Sequence, residues 1–207
     1  MKKWLFQEAS RPTIVTKVID LIVLNVIFII SCLPIITIGA SITSLYYVTL
    51  KMVDPDKDYF LFKDFIKGFK ESFIQSTTAM GIVLTKIALL VGIIYLINII
   101  GEGSPNLMVT IPFLVLVTII SLVTLYLFPL LAYFDNTTVH SFKNALIISF
   151  HQMAKSIVLF LTALIIIIVI PLFITQVWFV WLLMAFSLTA YLQSLILRKI
   201  FESYQVE

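Results

Sequence analysis

The chain has 207 residues, of which 61% are hydrophobic and only 12% charged, with a mean hydropathy of +1.11. Soluble domains run at about 45–50% apolar and ~25% charged, so one small soluble core cannot absorb this surface, and lipid is the expected solvent. A formal charge of +3 with no basic stripe excludes a nucleic-acid footprint, and the lone Cys32 excludes an intrachain disulfide and a multi-cysteine metal site.

Met1-Lys2-Lys3-Trp4 has the positive flank of a signal peptide. The first apolar run, however, starts only near Val18 and reaches Leu50 without a small-residue cleavage site, so it is read as a retained membrane segment. It is too long for one ordinary span and is interrupted by Pro34, Thr37 and Gly39. Proline removes a backbone donor and clashes with the preceding turn, which predicts a structural helix break there. Residues 18–50 are therefore expected to form a broken hairpin that either crosses twice or re-enters.

Residues 51–75 read as a cytosolic amphipathic loop. Within it Phe62, Phe65, Ile66, Phe69 and Phe73 recur at three- or four-residue steps and share a helical face, with Lys63, Asp64, Lys67, Lys70 and Glu71 mostly off it. That pattern predicts an interfacial helix and a candidate partner-binding face. Four further spans follow at 76–100, 107–133, 156–174 and 177–197, each near the ~20 apolar residues that a bilayer needs. A second interfacial helix is expected within Asp135 to Lys155, from Phe142, Leu146, Ile147 and Phe150. Both amphipathic stretches follow a proline-bearing apolar segment, at Pro34 and Pro129, as a degenerate internal duplication would.

Thirteen of the fourteen Lys and Arg residues fall on one side if residues 18–50 enter and return to the same face. The opposite connections, Gly101 to Asn106 and the turn near Thr175-Gln176, carry only Glu102. Positive residues favour the cytoplasm, so both termini are expected there. The expected fold is all-α: one integral membrane domain over 1–207, a polytopic transmembrane bundle in a bacterial inner membrane, whose partner is the lipid bilayer.

Few residues suggest chemistry. Lys86 lies about ten residues into the 76–100 span, hence roughly 15 Å deep, where an unpaired lysine costs about 2.5–3.5 kcal/mol. It is a candidate intramembrane polar site, either binding an anionic group or merely holding the bundle together. Asp20 and Asn25 are possible partners, although Asp20 also suits a wetted helix end beside Lys17. The Asp54-Pro55-Asp56-Lys57-Asp58 run opens like a calcium loop, but Tyr59 and Phe65 stand where Gly and Glu are required. His140 and His151 lack companions at zinc spacing, and no nucleophile elbow, P-loop or dinucleotide motif occurs. No catalytic residue, cofactor or metal is expected, and the chain is not read as an enzyme. Trp4, Trp178 and Trp181 lie near predicted span ends, as interfacial anchors do.

Leu33-Pro34-Ile35-Ile36-Thr37-Ile38-Gly39, then Ser44-Leu45-Tyr46-Tyr47-Val48, then Phe62-Lys63-Asp64-Phe65 and Phe69-Lys70 form a pattern that resembles the YesL family of bacterial membrane proteins, a domain of unknown function. Leu127-Phe128-Pro129-Leu130 and Phe142-Lys143-Asn144-Ala145 extend the resemblance over most of the chain, with Ser44 where alanine is usual. The family brings no known active site. By association with carbohydrate-uptake and polysaccharide-degradation systems, the resemblance implies a helper role in sugar import, with a carbohydrate ABC transporter or another membrane protein as partner. The alternative is a small transporter or permease component using Lys86 and the broken hairpin.

Overall fold

A computed structural model describes residues 14–100, 107–134, 137–173 and 178–205. The basic flank Lys2, Lys3 and Arg11, Trp4, the connections at 101–106 and 174–177, and Asp135 lie outside the described residues. The elements are α1 (Ile14–Ser31), a 3-10 turn (Ile35–Thr37), α2 (Ile38–Val53), α3 (Leu61–Ile100), α4 (Leu107–Tyr133), α5 (Thr138–His151), α6 (Met153–Leu164), a π-helical turn (Ile165–Val169), α7 (Ile170–Phe173) and α8 (Trp178–Gln205). Six stretches are long and apolar enough to cross a membrane: Ile14–Ser31, Ile35–Val53, Leu61–Tyr95, Val115–Tyr133, Met153–Phe173 and Trp181–Tyr204. The protein is a multi-pass helical membrane bundle, and no strand occurs among the described residues.

The break in the first apolar run has a local cause. The last N–H groups of α1 tighten, Cys32 to the Phe28 and Ile29 carbonyls and Leu33 to that of Ile30. Pro34 then has no N–H to continue the ladder and sits extended, at φ −77° and ψ 123°. The Thr37 hydroxyl lies 2.6 Å from the Ser31 carbonyl oxygen and 2.7 Å from that of Pro34, tying the end of α1 to the turn. The apolar run thus becomes two helices, each with a span's length. Pro129, by contrast, lies inside an uninterrupted α4, so the two proline sites are not geometric repeats of one another.

α2 is the hub, packing on α1, α3, α4 and α8. More than half of the residues in the apolar stretch of the Ile35–Val53 span are buried, against about a tenth in that of Leu61–Tyr95. On one side Leu45, Val48 and Met52 meet Leu21, Leu24 and Phe28 of α1, with Tyr59, Phe65 and Ala190. On the other, Leu50 joins Ala79 and Val83 of α3, Tyr126, Leu127 and Leu130 of α4, and Leu197, Ile200 and Phe201 of α8.

α2 and α3 run antiparallel at close range, and a glycine on each makes that possible. A Cβ on Gly39 would stand 2.4 Å from the Ser76 carbonyl oxygen, and one on Gly68 would stand 3.1 Å from the Tyr47 ring. Gly39 to Tyr47 and Gly68 to Ser76 are matching eight-residue steps, about 12 Å each, so the two contacts fix one register.

α3 corrects one expectation. The loop placed at 51–75 and the span at 76–100 are not separate: a single helix of 40 residues, about 60 Å, runs from Leu61 to Ile100. Only residues 54–60 lie between α2 and α3. The α3 side that packs inward bears Gly68, Ser72, Ser76, Ala79 and Val83, a ridge of mostly small residues such as membrane helices use for close approach. The aromatic stripe lies to one edge of that ridge.

Candidate functional site

The sequence-predicted positions fall into three separate places. Pro34, Thr37 and Gly39 form the turn and the close helix contact just described, with each residue committed to backbone geometry. Of the stripe on α3, Phe65 is buried in the α1–α2 cluster, Phe69 and Phe73 are half-buried, and Phe62 and Ile66 are exposed beside Lys63, Lys67 and Lys70. The rings of Phe65, Phe69 and Phe73 touch in series, with centroids 6.4 Å and then 5.5 Å apart.

Lys86 is exposed on α3, with its Nζ 5.3 Å from the centroid of the Phe142 ring on α5. The expected depth counts from a helix start at 76; because α3 starts at Leu61, that count does not apply. Neither expected partner reaches Lys86. The Asp20 carboxylate accepts a hydrogen bond from the Tyr59 hydroxyl at 2.8 Å. Burial first, then the Asp20 carboxylate, push the Tyr59 phenol above its ordinary pKa. Its proton is therefore held throughout physiological pH, and the stabilisation it contributes is lost only above the usual tyrosine range.

Asn25 is fully buried and joins α1 to α8. Its Nδ2 donates to the Leu182 carbonyl at 2.8 Å and its Oδ1 accepts the Ser187 N–H at 3.0 Å, while the Ser187 hydroxyl donates to the Leu21 carbonyl at 2.7 Å. Further polar ties bind the hub: Thr43 to Ser76 at 2.7 Å, Thr49 to Ser194 at 2.8 Å, and the Tyr46 hydroxyl to Gln193, whose amide donates to the Leu159 carbonyl at 3.0 Å. Interhelical bonds of this kind hold membrane helices together without a hydrophobic driving force. Periodicity gives no hint of them, because it does not say which distant helix receives each group. The small residues spaced by four, Gly68, Ser72 and Ser76, were the available signal for the α2–α3 contact.

At the far end of α2, the Lys51 ammonium lies 2.8 Å from Asp64, a buried carboxylate that also accepts the Phe60 N–H at 2.7 Å and so closes the start of α3. Asp54 meets Arg198 at 3.2 Å, Lys57 at 3.4 Å and the Asp56 N–H at 3.1 Å. Arg198 also donates to the Val53 carbonyl at 3.0 Å and to Glu202 at 2.6 Å. The Asp54–Asp58 run is thus the joint between α2, α3 and α8. Among the described residues no three His, Cys, Asp or Glu side chains come together.

Trp181, expected as an interfacial anchor, makes a bond within the bundle: its indole N–H donates to the Ile166 carbonyl at 2.6 Å. In a π turn a carbonyl receives its bond from the residue five positions on, and for Ile166 that residue is Pro171, which has no N–H. The indole replaces the missing donor.

Two crevices in the described bundle bear on function. One, of about 130 Å³, is polar and lies between α2, α3 and α4, with Thr43, Tyr47, Glu71, Ser72 and Gln75 in its wall. The other, of about 670 Å³, is apolar and lies between α1, α2, the π turn and α8, with Phe28, Cys32, Ile42, Ile167, Leu182 and Ala190 in its wall. Lys86 is on neither.

Comparison with curated proteins and with solved structures gives no match. A family model does match, over residues 21–99, and its description is "Protein of unknown function, DUF624". The matched segment holds most of α1, the Pro34 turn, the α2 hub and nearly all of α3, the part of the bundle whose register the two glycines set. Over this segment the chain is similar to DUF624, the domain family of YesL-type proteins.

Proposed function

We propose that the chain is a non-catalytic accessory protein of the bacterial cell membrane, with both termini cytoplasmic, that docks another membrane protein through the exposed face at the start of α3. The observation that carries this reading is Phe62 and Ile66, apolar and exposed beside Lys63, Lys67 and Lys70. Apolar groups ringed by charge suit a protein contact. The likeness to YesL proteins adds the class of partner, a carbohydrate-uptake system such as an ABC transporter. A permease reading needs Lys86 and the broken hairpin on one path. The place of Lys86 at Phe142, away from the hairpin-lined cavity, favours the accessory reading.

The test is labelled-sugar uptake in a deletion strain carrying wild type, Phe62→Glu/Ile66→Glu or Lys86→Ala, with membrane levels checked by immunoblot. Wild type and Lys86→Ala are expected to restore uptake, while the double variant stays at the deletion level despite normal abundance. Restoration by the double variant removes the docking face. Failure of Lys86→Ala alone revives the permease. Unchanged uptake in the deletion strain for every sugar tried removes the link to sugar import.

A further inference from the structure

We infer that the large cavity between α1, α2, the π turn and α8 holds an acyl chain of a bilayer phospholipid, which enters from the leaflet on the side of the Pro34 turn. This is independent of the docking face on α3. The cavity walls come from the spans Ile14–Ser31, Ile35–Val53, Met153–Phe173 and Trp181–Tyr204 and from Cys32 and Leu33 at the turn, so hydrocarbon is what surrounds it.

Its wall offers little to a polar guest. The Tyr46 hydroxyl is spent on Gln193, and that of Thr189 on the Ala185 carbonyl at 2.7 Å. The rest is aliphatic or aromatic apart from the Cys32 thiol. A buried water needs two to four polar partners, and a sugar would lose the hydrogen bonds of its hydroxyls there. Left empty, about 670 Å³ would forfeit the dispersion contacts that close packing provides. A flexible hydrocarbon chain meets both constraints.

The mouth fixes the direction. Leu33, which lines the cavity at the turn, is 77% exposed, and the neighbouring Ile35 and Ile36 are exposed as well, so the wall at this end runs out into an apolar surface. The charged joint of Lys51, Asp64, Asp54 and Arg198 lies at the other end of α2. No charged side chain lines the cavity, so the head group stays in the interface and is not selected.

The experiment uses the full chain in nanodiscs containing phosphatidylglycerol or phosphatidylcholine with a diazirine on the acyl chain. Photolysis is followed by mass-spectrometric mapping of adducts. Adducts are expected on Phe28, Ile42 and Leu182 with both lipids, with the lipid-facing residues Leu89 and Ile93 of α3 as internal reference. Ala190→Phe fills the cavity and lowers the cavity-to-reference ratio at least five-fold. Ile42→Trp does so from the opposite wall, so that a folding defect in one variant does not decide the matter. In the wild type, Cys32 should react with N-ethylmaleimide and at least ten-fold more slowly with a cationic methanethiosulfonate. An adduct ratio indifferent to both variants, labelling by one head group alone, or ready attack on Cys32 by the cationic reagent each overturns the inference.

Discussion

At the scale of the residue, the polar side chains of this bundle serve backbone groups more often than one another. Trp181 is the clearest case, because the carbonyl it serves is orphaned by Pro171. Trp181→Phe should cost about 0.6–2 kcal/mol of stability, the range of hydrogen bonds inside membrane proteins. Pro171→Ala restores a backbone donor, so the same change in that background should cost less than half as much. Reversible unfolding of the four proteins in mixed micelles measures the coupling; simple additivity would mean that the indole acts by packing alone. Asn25 was visible in the sequence as a polar interruption, but its attachment to Leu182 and Ser187 was not, since neither of those residues marks itself as a receptor.

At the scale of the element, the Pro34 break was legible because proline acts on the turn in which it sits. The start of α3 was misplaced because an amphipathic period says which face is apolar and is silent on whether the axis bends. By itself, therefore, the stripe of Phe62, Phe65, Ile66, Phe69 and Phe73 predicts a helix lying flat. The face that packs on α2 is instead the small-residue ridge, with Gly39 opposite. Gly39→Ala puts a methyl group against the Ser76 carbonyl, an overpacking worth about 1–3 kcal/mol. Gly81→Ala meets nothing within 4 Å and should be neutral or slightly stabilising through helix propensity. Thermal stability by size-exclusion in detergent distinguishes them, and equal melting of the two variants would refute the close-contact role of Gly39.

At the scale of the whole molecule, hydropathy conveyed the all-helical class and the presence of several stretches long and apolar enough to cross a membrane, since these are composition counted along the chain. It could not convey the α2-centred arrangement, which depends on contacts between helices far apart in sequence. The proposed orientation, drawn from the distribution of Lys and Arg, has both termini cytoplasmic. A green fluorescent protein fused after Glu207 should then fluoresce and alkaline phosphatase fused there should be inactive, with the reverse for insertions at 101–106. An active phosphatase at the C-terminus would invert the bundle.

The ties of the hub to α8 also set an order of events during synthesis. Asn25 waits for a backbone 157 residues later, Tyr46 for a side chain 147 residues later and Thr49 for one 145 later. At about 5–20 residues per second the ribosome needs roughly 7–30 s to deliver them. Through that interval the first helices stand in the bilayer with donors and acceptors still open. α8 is therefore the helix that closes α1 and α2, and a chain that stops short of it leaves those spans marked, by their unmet groups, as unfinished.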